Sequence, residues 1–259
     1  MRLVEPERDV CMTDNFSVQF WSLSHRGRVR RGNEDALRVR DERRIAAIAD
    51  GIGGSRFGEV ASQLAVDACQ EYLANIVIEN LAKKATRELT NAIGYANETI
   101  IALQQNDAKF RNMGSTLTCF YIDQHHVHFA WVGDSRIYVV NPVNQEIRRL
   151  THDHTLQAQK IDPQIAPNLH KRASSILTQH VGSILLLSPE SASFSLKAGD
   201  IILACTDGLT DRIEDPLILQ HVIDYESDMQ ACAASLLDRA LDRGGQDNIS
   251  LILAQAVFG

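Results

Sequence analysis

The 259-residue chain has few cysteines and no long hydrophobic run. Its longest apolar runs, residues 45–49 and 201–205, are far shorter than the roughly 20 residues that cross a bilayer, so no membrane span is predicted. The five cysteines are widely spaced without a C-x-x-C pair, which argues against a disulfide framework or a thiolate metal site. Acidic residues and a proline stand at the N-terminus, where a signal peptide needs an apolar segment. These absences indicate a cytoplasmic protein with reduced thiols.

Positive charge is also scarce. Lys and Arg total 26 against 33 Asp and Glu, which gives a formal net charge of −7. A general nucleic-acid-binding domain is usually strongly basic, so we expect no nucleic-acid partner. Hydrophobic residues make up 44% of the chain, close to the globular average, which argues against a mainly disordered protein. A chain of this length can build a core without disulfide or metal staples, so any bound metal is expected to serve chemistry.

The organisation of the chain favours one folded domain at 17–259 after a leader at 1–16, because no repeat or Gly/Ser-rich linker divides it. Apolar residues recur at helical intervals over 58–80 and again over 85–103. The short strands that follow these helices are typical of an antiparallel meander. Grouped strands and grouped helices predict an α+β layered domain. The predicted strands are 17–23, 43–49, 115–122, 126–132, 135–140, 146–150, 201–206 and 249–257, the later helices are 216–223 and 229–241, and 152–171 is predicted to be a loop.

Aspartates stand at the ends of four apolar strands: Asp50, Asp134 and Asp207 follow a strand, and Asp247 precedes one. Any one of them is explained as a turn residue or a helix cap. Four of them suggest that the carboxylates converge on one rim of the fold, because strands of one sheet end together. Close carboxylates repel one another unless cations compensate, and clustered carboxylates suit Mg²⁺ or Mn²⁺.

Two such ions form a hydrolytic site, because they lower the pKa of a bridging water and neutralise charge on a phosphoryl group. No nucleophilic side chain is then required. This fits the absence of a G-x-S-x-G, C-x-x-x-x-x-R or Walker-type segment in the sequence. The acidic pattern therefore predicts metal-assisted hydrolysis.

Eight short motifs in order carry a resemblance that spans residues 24 to 257. The chain resembles the PPM (type 2C) family of metal-dependent serine/threonine protein phosphatases in its short bacterial form. The motifs are Gly27-x-Val29-Arg30-x-x-Asn33-Glu34-Asp35, Ala49-Asp50-Gly51-Ile52-Gly53-Gly54, Gly58-Glu59-x-Ala61-Ser62, Met113-Gly114-Ser115-Thr116, Val132-Gly133-Asp134-Ser135-Arg136-x-Tyr138, Leu150-Thr151-x-Asp153-His154-Thr155, Thr206-Asp207-Gly208-Leu209-Thr210 and Gly245-x-Asp247-Asn248-Ile249.

The resemblance implies a four-layer αββα sandwich, with two antiparallel sheets flanked by helices. It implies that Asp50 bridges two Mn²⁺ or Mg²⁺ ions, that the Gly51 carbonyl binds the first, and that Asp207 and Asp247 bind the second. Asp134, with Asp207, matches a third, weaker metal position.

Other residues are assigned by the same motifs. Asp35 would orient metal-bound waters with help from Glu34, and Arg30 would hold the substrate phosphate. A guanidinium suits that role because it can bind two phosphate oxygens at once. A metal-bridging hydroxide would then attack phosphorus, which makes Arg30, Asp50 and Asp207 the expected catalytic residues.

The implied activity is hydrolysis of phosphoserine and phosphothreonine in a phosphoprotein substrate, with a Ser/Thr kinase or its targets as partners and a monomeric enzyme. Two alternatives remain open: a non-catalytic phosphoprotein-binding module with this fold, and an enzyme that dephosphorylates a regulatory partner. The sequence departs from the family at Ile52 and Ser55, where some members carry a histidine, so no side-chain acid is assigned. The segment 156–172 corresponds to a variable flap, and substrate preference is not inferred from it.

Two further clusters receive ordinary interpretations. His125, His126 and His128 are interpreted as a solvated turn, because no carboxylate-rich frame is apparent around them in the sequence. The arginine-rich stretch 26–44, apart from Arg30, is interpreted as a solvated strand face, with attraction of an acidic partner as the alternative.

Overall fold

The architecture comes from a computed structural model that describes residues 16–52, 57–158 and 176–258. Strands and helices lie in groups along these residues. The strands are β1 (Phe16–His25), β2 (Asp35–Arg40), β3 (Ile45–Asp50), β4 (Leu117–Ile122), β5 (His126–Val132), β6 (Arg136–Asn141), β7 (Glu146–Arg149), β8 (Glu190–Ser195), β9 (Ile201–Cys205) and β10 (Ile249–Phe258). The helices are α1 (Gly58–Ala74), α2 (Ile78–Asn106), α3 (Asp207–Thr210), α4 (Asp215–Asp224) and α5 (Met229–Asp242), with 3-10 turns at Asp41–Arg43 and Ala108–Phe110.

Two five-stranded antiparallel sheets form the centre of the fold. The first sheet has the order β1-β10-β9-β6-β7, and the second has the order β2-β3-β4-β5-β8. The meander predicted after the two long helices is wrong, because β5 pairs with β4 and β8 whereas β6 pairs with β7 and β9. The chain crosses from the second sheet to the first at Gly133 and Asp134. One of the predicted site residues therefore lies at the crossing.

Three apolar layers hold the sandwich together. Side chains of α1 and α2 pack on the outer face of the second sheet around Leu89 and Tyr121. Side chains of α4 and α5 pack on the first sheet around Tyr138 and Leu236. The inner faces of both sheets meet around Phe120, and all three layers are nearly free of solvent. These layers confirm the predicted α+β sandwich, with helices outside two antiparallel sheets.

The helical pattern over 58–80 belongs to two helices, not one. Helix α1 ends at Ala74 although the apolar period continues to Ile76. The Arg43 guanidinium donates hydrogen bonds to the carbonyls of Leu73 and Ile76, at the helix end where carbonyls lack partners within the helix. A distant arginine thus adds hydrogen bonds at the helix end that the local C-cap residue Asn75 marks.

Strand β8 was not among the predicted strands, because only Ala192 and Phe194 of its six residues are apolar and it lies at a sheet edge. Four cysteines, Cys69, Cys119, Cys205 and Cys232, are buried as free thiols, as expected. Residues 1–15 of the predicted leader 1–16 and most of the segment 156–172 lie outside the described residues, as do Cys11 and Ser55, whereas Phe16 already begins β1. In the part of the chain that the structure describes, no helix combines the length and hydropathy needed to cross a membrane.

Candidate active site

The predicted site residues meet at one end of the sandwich, around a cavity of about 390 Å³. Asp50 and Asp134 come from the second sheet, whereas Asp207 and Asp247 come from the first. The carboxylates therefore converge between the ends of two sheets, and the expectation that strands of a single sheet bring them together is wrong. The predicted residues that line the cavity are Arg30, Glu34, Asp50, Gly51, Asp134, Asp207 and Asp247.

Asp50 is held at the end of β3 by hydrogen bonds from its backbone to Ser115 and Thr116, just before β4. Its amide donates to Thr116 Oγ1 at 2.8 Å, and its carbonyl accepts from the Thr116 amide at 2.9 Å and from Ser115 Oγ at 2.8 Å. Gly51 follows against the first residue of α1, and a Cβ at this position would collide with the Gly58 backbone. Only glycine therefore allows this close approach of strand and helix.

Asp134 lies on the turn that crosses between the sheets. Gly133 before it has φ +99°, and a Cβ there would lie 2.7 Å from Thr116 Cβ. His154 accepts a hydrogen bond at Nδ1 from the Gly133 amide at 3.1 Å and donates from its amide to the Gly133 carbonyl at 3.0 Å. The His154 Nε2–H donates to Glu190 Oε1 at 3.0 Å. His154 thus braces a loop and fixes the position of Asp134.

Asp207 and Asp247 come from neighbouring strands of the first sheet. Asp207 is the first residue of α3, directly after β9, and Asp247 lies just before β10. A Cβ at Gly208 would collide with the Asn248 carbonyl, so the two segments touch through their backbones. Asp247 Oδ1 accepts the Asn248 amide at 2.8 Å.

Arg30 lies on a loop that Asn248 holds against the first sheet. The Asn248 side chain accepts the Glu34 amide at 2.7 Å and donates to the carbonyls of Arg26 and Gly32 at 2.8 and 2.9 Å. Arg30 Nη2 donates to Asp247 Oδ2 at 2.6 Å, and this hydrogen bond raises the pKa of Arg30. The residue predicted to bind phosphate is therefore paired with a residue predicted to bind metal.

Asp35 lies behind the cavity, opposite Asp50 in the β2–β3 register. Asp35 Oδ2 accepts a hydrogen bond from Thr206 Oγ1 at 2.9 Å. Burial, with the charges of Asp207 and Asp247, raises the pKa of Asp35 to about 7. Burial also raises the pKa of Glu34.

The carboxylates that line the cavity repel one another when no cation balances their charge. Burial and neighbouring aspartates raise the pKa of Asp134 to about 7 and that of Asp207 to about 6, and they raise the pKa of Asp50 well above its usual range. Asp35 Oδ1 and Asp207 Oδ1 are buried and have no hydrogen-bond partner among the described residues. Converging oxygen donors with raised pKa values and unused lone pairs fit divalent cations such as Mg²⁺ or Mn²⁺.

A second cavity of about 420 Å³ adjoins the first and shares Asp134 and Asp207 with it. Asp211, one turn beyond Asp207, also lines it, a residue that sequence reasoning did not single out. Arg136 reaches its wall and makes a two-pronged ion pair with Asp153, at 3.1 and 2.8 Å. This second cavity is where the weaker metal position is expected.

Sequence reasoning also missed His180, which lines the main cavity together with Ile52 and Leu177. A Cβ at Gly114 would lie 2.7 Å from His180 Nδ1 and 2.9 Å from Ile52 Cδ1, so the imidazole and the Ile52 side chain flank the same glycine. His180 Nδ1–H donates to the Val181 carbonyl at 3.0 Å. No local motif marks this histidine, because it reaches the site through pairing of Val181 with Ser115.

Comparison with known proteins extends the resemblance. The protein phosphatase 2C family model matches residues 24–244. The chain is 31% identical over 244 residues to the serine/threonine protein phosphatase PstP of Mycobacterium tuberculosis, which covers 93% of this chain but 45% of PstP. It is 30% identical over 242 residues to the serine/threonine phosphatase Stp of Listeria monocytogenes, with coverage of 89% and 92%.

A crystal structure of the PstP catalytic domain in complex with two manganese ions has a TM-score of 0.77 to this chain, at 27% identity over 93% of this chain and 99% of that domain. The chain thus spans less than half the length of full PstP and nearly all of its catalytic domain. The family model covers every residue that lines the cavity except Asp247. The chain belongs to the protein phosphatase 2C family.

Proposed function

We propose that this chain is a phosphoprotein phosphatase that hydrolyses phosphoserine and phosphothreonine with Mn²⁺ or Mg²⁺. The observation that carries the proposal is the convergence of Asp50, Asp134, Asp207 and Asp247 with Arg30 around one cavity. The site combines oxygen ligands for cations with a guanidinium for phosphate. Its relatives named serine/threonine phosphatases support the same chemistry.

The residues that would hold the two core ions are Asp50, the Gly51 carbonyl, Asp207 and Asp247, and Asp134 with Asp207 would hold a third. Two divalent cations bound there would supply a water of lowered pKa and neutralise charge on the phosphoryl group. Asp35, fixed by Thr206, would accept hydrogen bonds from water behind Asp50, and Glu34 would assist it.

Arg30 would bind the substrate phosphate through two guanidinium N–H groups. Its pairing with Asp247 keeps the guanidinium at the cavity before substrate arrives. His180 would donate a proton to the leaving serine or threonine oxygen. Position 52, where some family members carry a histidine, is an isoleucine here, and His180 places an imidazole beside it at the same cavity.

The wider setting is part of the same proposal. Residues 17–259 would form one catalytic domain, and the enzyme would act as a monomer in the cytoplasm on the targets of a Ser/Thr kinase in a signalling pathway. Buried free cysteines support a reducing compartment. The acidic net charge supports a protein substrate, not a nucleic acid.

The test is phosphate release from phosphoserine and phosphothreonine peptides with added Mn²⁺. We expect turnover in the wild type that a chelator abolishes, and a loss on the order of 10²–10³-fold in Asp207→Asn. Wild-type turnover in that variant would contradict the mechanism. A wild type that binds phosphopeptides but releases no phosphate at any Mn²⁺ concentration would favour the non-catalytic module. Capture of phosphoproteins by the Asp207→Asn variant would separate kinase targets from a single regulatory partner.

A further inference from the structure

The turn between β4 and β5 gathers a carboxylate and two imidazoles at the end of the second sheet opposite the active site. Thr116, just before β4, contacts Asp50, whereas Asp123 directly follows this six-residue strand. At about 3.3 Å per residue, the turn lies roughly 20 Å from the catalytic cavity. The turn is partly exposed, as a solvated turn should be, but the expected absence of a carboxylate is wrong, because Asp123 contacts both His126 and His128.

The distances suit a tetrahedral metal site. His128 Nε2 lies 2.8 Å from Asp123 Oδ2, and His126 Nδ1 lies 3.6 Å from Asp123 Oδ1. All three ligand atoms lie within 4.8 Å of one another. Ligands of a tetrahedral zinc ion are separated by about 3.3 Å, so movements of about an ångström would complete the geometry.

The frame that holds these groups is already formed. The amides of His125 and His126 donate to Asp123 Oδ1 at 2.8 and 2.7 Å, which fixes the carboxylate. The His128 ring stacks on Tyr121, with its Nδ1 2.7 Å from Ser193 Oγ on β8. His128 is 14% exposed and His126 42%, so a cation has access from solvent.

A second cluster of the same composition, His152, His154 and Glu190, provides the contrast. His154 Nδ1 accepts a hydrogen bond from the Gly133 amide, which can only donate, so Nε2 must keep its proton and has no lone pair for a metal. Ser193 can both donate and accept. His128 Nδ1–H can therefore donate to Ser193 while Nε2 binds a cation, the arrangement that orients metal-bound histidines.

We propose that Asp123, His126 and His128 form a transition-metal site, separate from the acidic cavity, that binds Zn²⁺ through one oxygen and two imidazole nitrogens. Imidazole ligands favour Zn²⁺, Cu²⁺ or Ni²⁺, whereas the all-oxygen cavity favours Mg²⁺ or Mn²⁺. A water would take the fourth position. In the neutral Nδ1–H tautomer, His128 donates to Ser193 Oγ and its Nε2 lone pair binds the ion, so this ligand releases no proton. The ion would link Asp123 on the β4–β5 turn to His126 and His128 on β5, the strand that pairs with the edge strand β8.

The test measures Zn²⁺ binding to the full chain in the Asp207→Asn background, which weakens the acidic cavity as a competitor. We expect one Zn²⁺ to bind per chain, with an X-ray absorption spectrum that shows scattering from imidazole ligands. His126→Gln and His128→Gln should each weaken Zn²⁺ binding about tenfold or more and remove that scattering. His152→Gln, the matched control from the other cluster, should leave both unchanged.

Three results would overturn the proposal: Zn²⁺ bound through oxygen alone, Zn²⁺ affinity unchanged in His126→Gln and His128→Gln, or imidazole scattering lost only in His152→Gln. Because His126 is the more exposed ligand, His126→Gln keeps the test valid if His128→Gln fails to fold. The readout is metal binding, so it does not depend on phosphatase activity.

Discussion

Arg30 and Asp247 are linked by a 2.6 Å ion pair at the edge of the cavity, so one residue pair connects the phosphate and metal functions. A lysine would keep the positive charge at position 30, but its compact ammonium group lacks the two parallel N–H groups of the planar guanidinium. The two-pronged contact with phosphate would be lost, while the carboxylates that hold metal would be unchanged.

We therefore predict that Arg30→Lys raises KM for phosphopeptides about tenfold with a smaller effect on Mn²⁺ affinity. Steady-state kinetics and Mn²⁺ titration measure the two effects. Arg28→Lys is the matched control, because Arg28 lies on the same loop as Arg30 and pairs with the exposed Asp242 at the end of α5. An unchanged KM in Arg30→Lys would exclude the assigned role.

His180 is the second residue whose role can be separated from its neighbours. An alkoxide leaving group needs a proton, whereas p-nitrophenolate departs without one. We predict that His180→Gln lowers kcat for phosphoserine peptides roughly 10²-fold and leaves p-nitrophenyl phosphate hydrolysis nearly unchanged. His152→Gln, on an exposed histidine outside the cavity, should change neither rate. Equal losses on both substrates would indicate that His180 positions the loop instead.

At the scale of elements, the crossing between the sheets is the feature on which the site depends. Gly133 adopts φ +99° against Thr116 and positions Asp134. Gly199 adopts φ +82°, but a Cβ there would only touch Val143 at 3.5 Å. Both glycines have a positive φ that other residues rarely adopt, but only Gly133 lacks space for a Cβ.

We predict that Gly133→Ala destabilises the fold by about 2 kcal/mol or more and reduces activity, whereas Gly199→Ala costs about 1 kcal/mol and leaves activity unchanged. Urea unfolding and phosphopeptide turnover provide the measurements. Equal stability and equal turnover in the two variants would show that the Thr116 contact does not matter.

The elements also show what the sequence can and cannot predict. The strand β5 at His126–Val132 and the helix α5 from Met229 agree with their hydrophobic periods, and the acidic positions agree with the motifs. The β5-to-β6 crossing has no local signal, because a glycine turn between two strands equally suits a hairpin. His180 reaches the site through the pairing of Val181 with the distant Ser115, which a single sequence does not specify. The Asp123 frame is local, and only its contact with Ser193 comes from a distant strand.

At the scale of the whole molecule, the acidic cavity opposes folding unless cations are bound. The pKa values of Asp35 and Asp134 near 7 and of Asp207 near 6 are above the ordinary value of about 4. Their protonated forms are favoured in the fold, so the stability linked to them is present at low pH and is lost as the pH rises through 6 to 7. Divalent cations would remove this cost and offset part of the −7 net charge.

We predict that the Tm of the metal-free protein falls between about pH 4 and pH 7, and that Asp207→Asn reduces the accompanying loss in free energy of unfolding by roughly 1–3 kcal/mol. The comparison between the two proteins cancels the contributions of every group other than Asp207. Thermal unfolding followed by circular dichroism gives the measurement. A wild-type Tm that falls over this pH range no more than the Tm of Asp207→Asn would contradict the electrostatic account.

The most direct test of the central claim is anomalous diffraction at the manganese edge from crystals soaked in Mn²⁺. The account predicts two strong peaks about 3.5–4 Å apart, with Asp50 between them and Asp207 and Asp247 bound to one. Both peaks should disappear or weaken in Asp50→Asn. Peaks away from these carboxylates, or none at saturating Mn²⁺, would contradict the account.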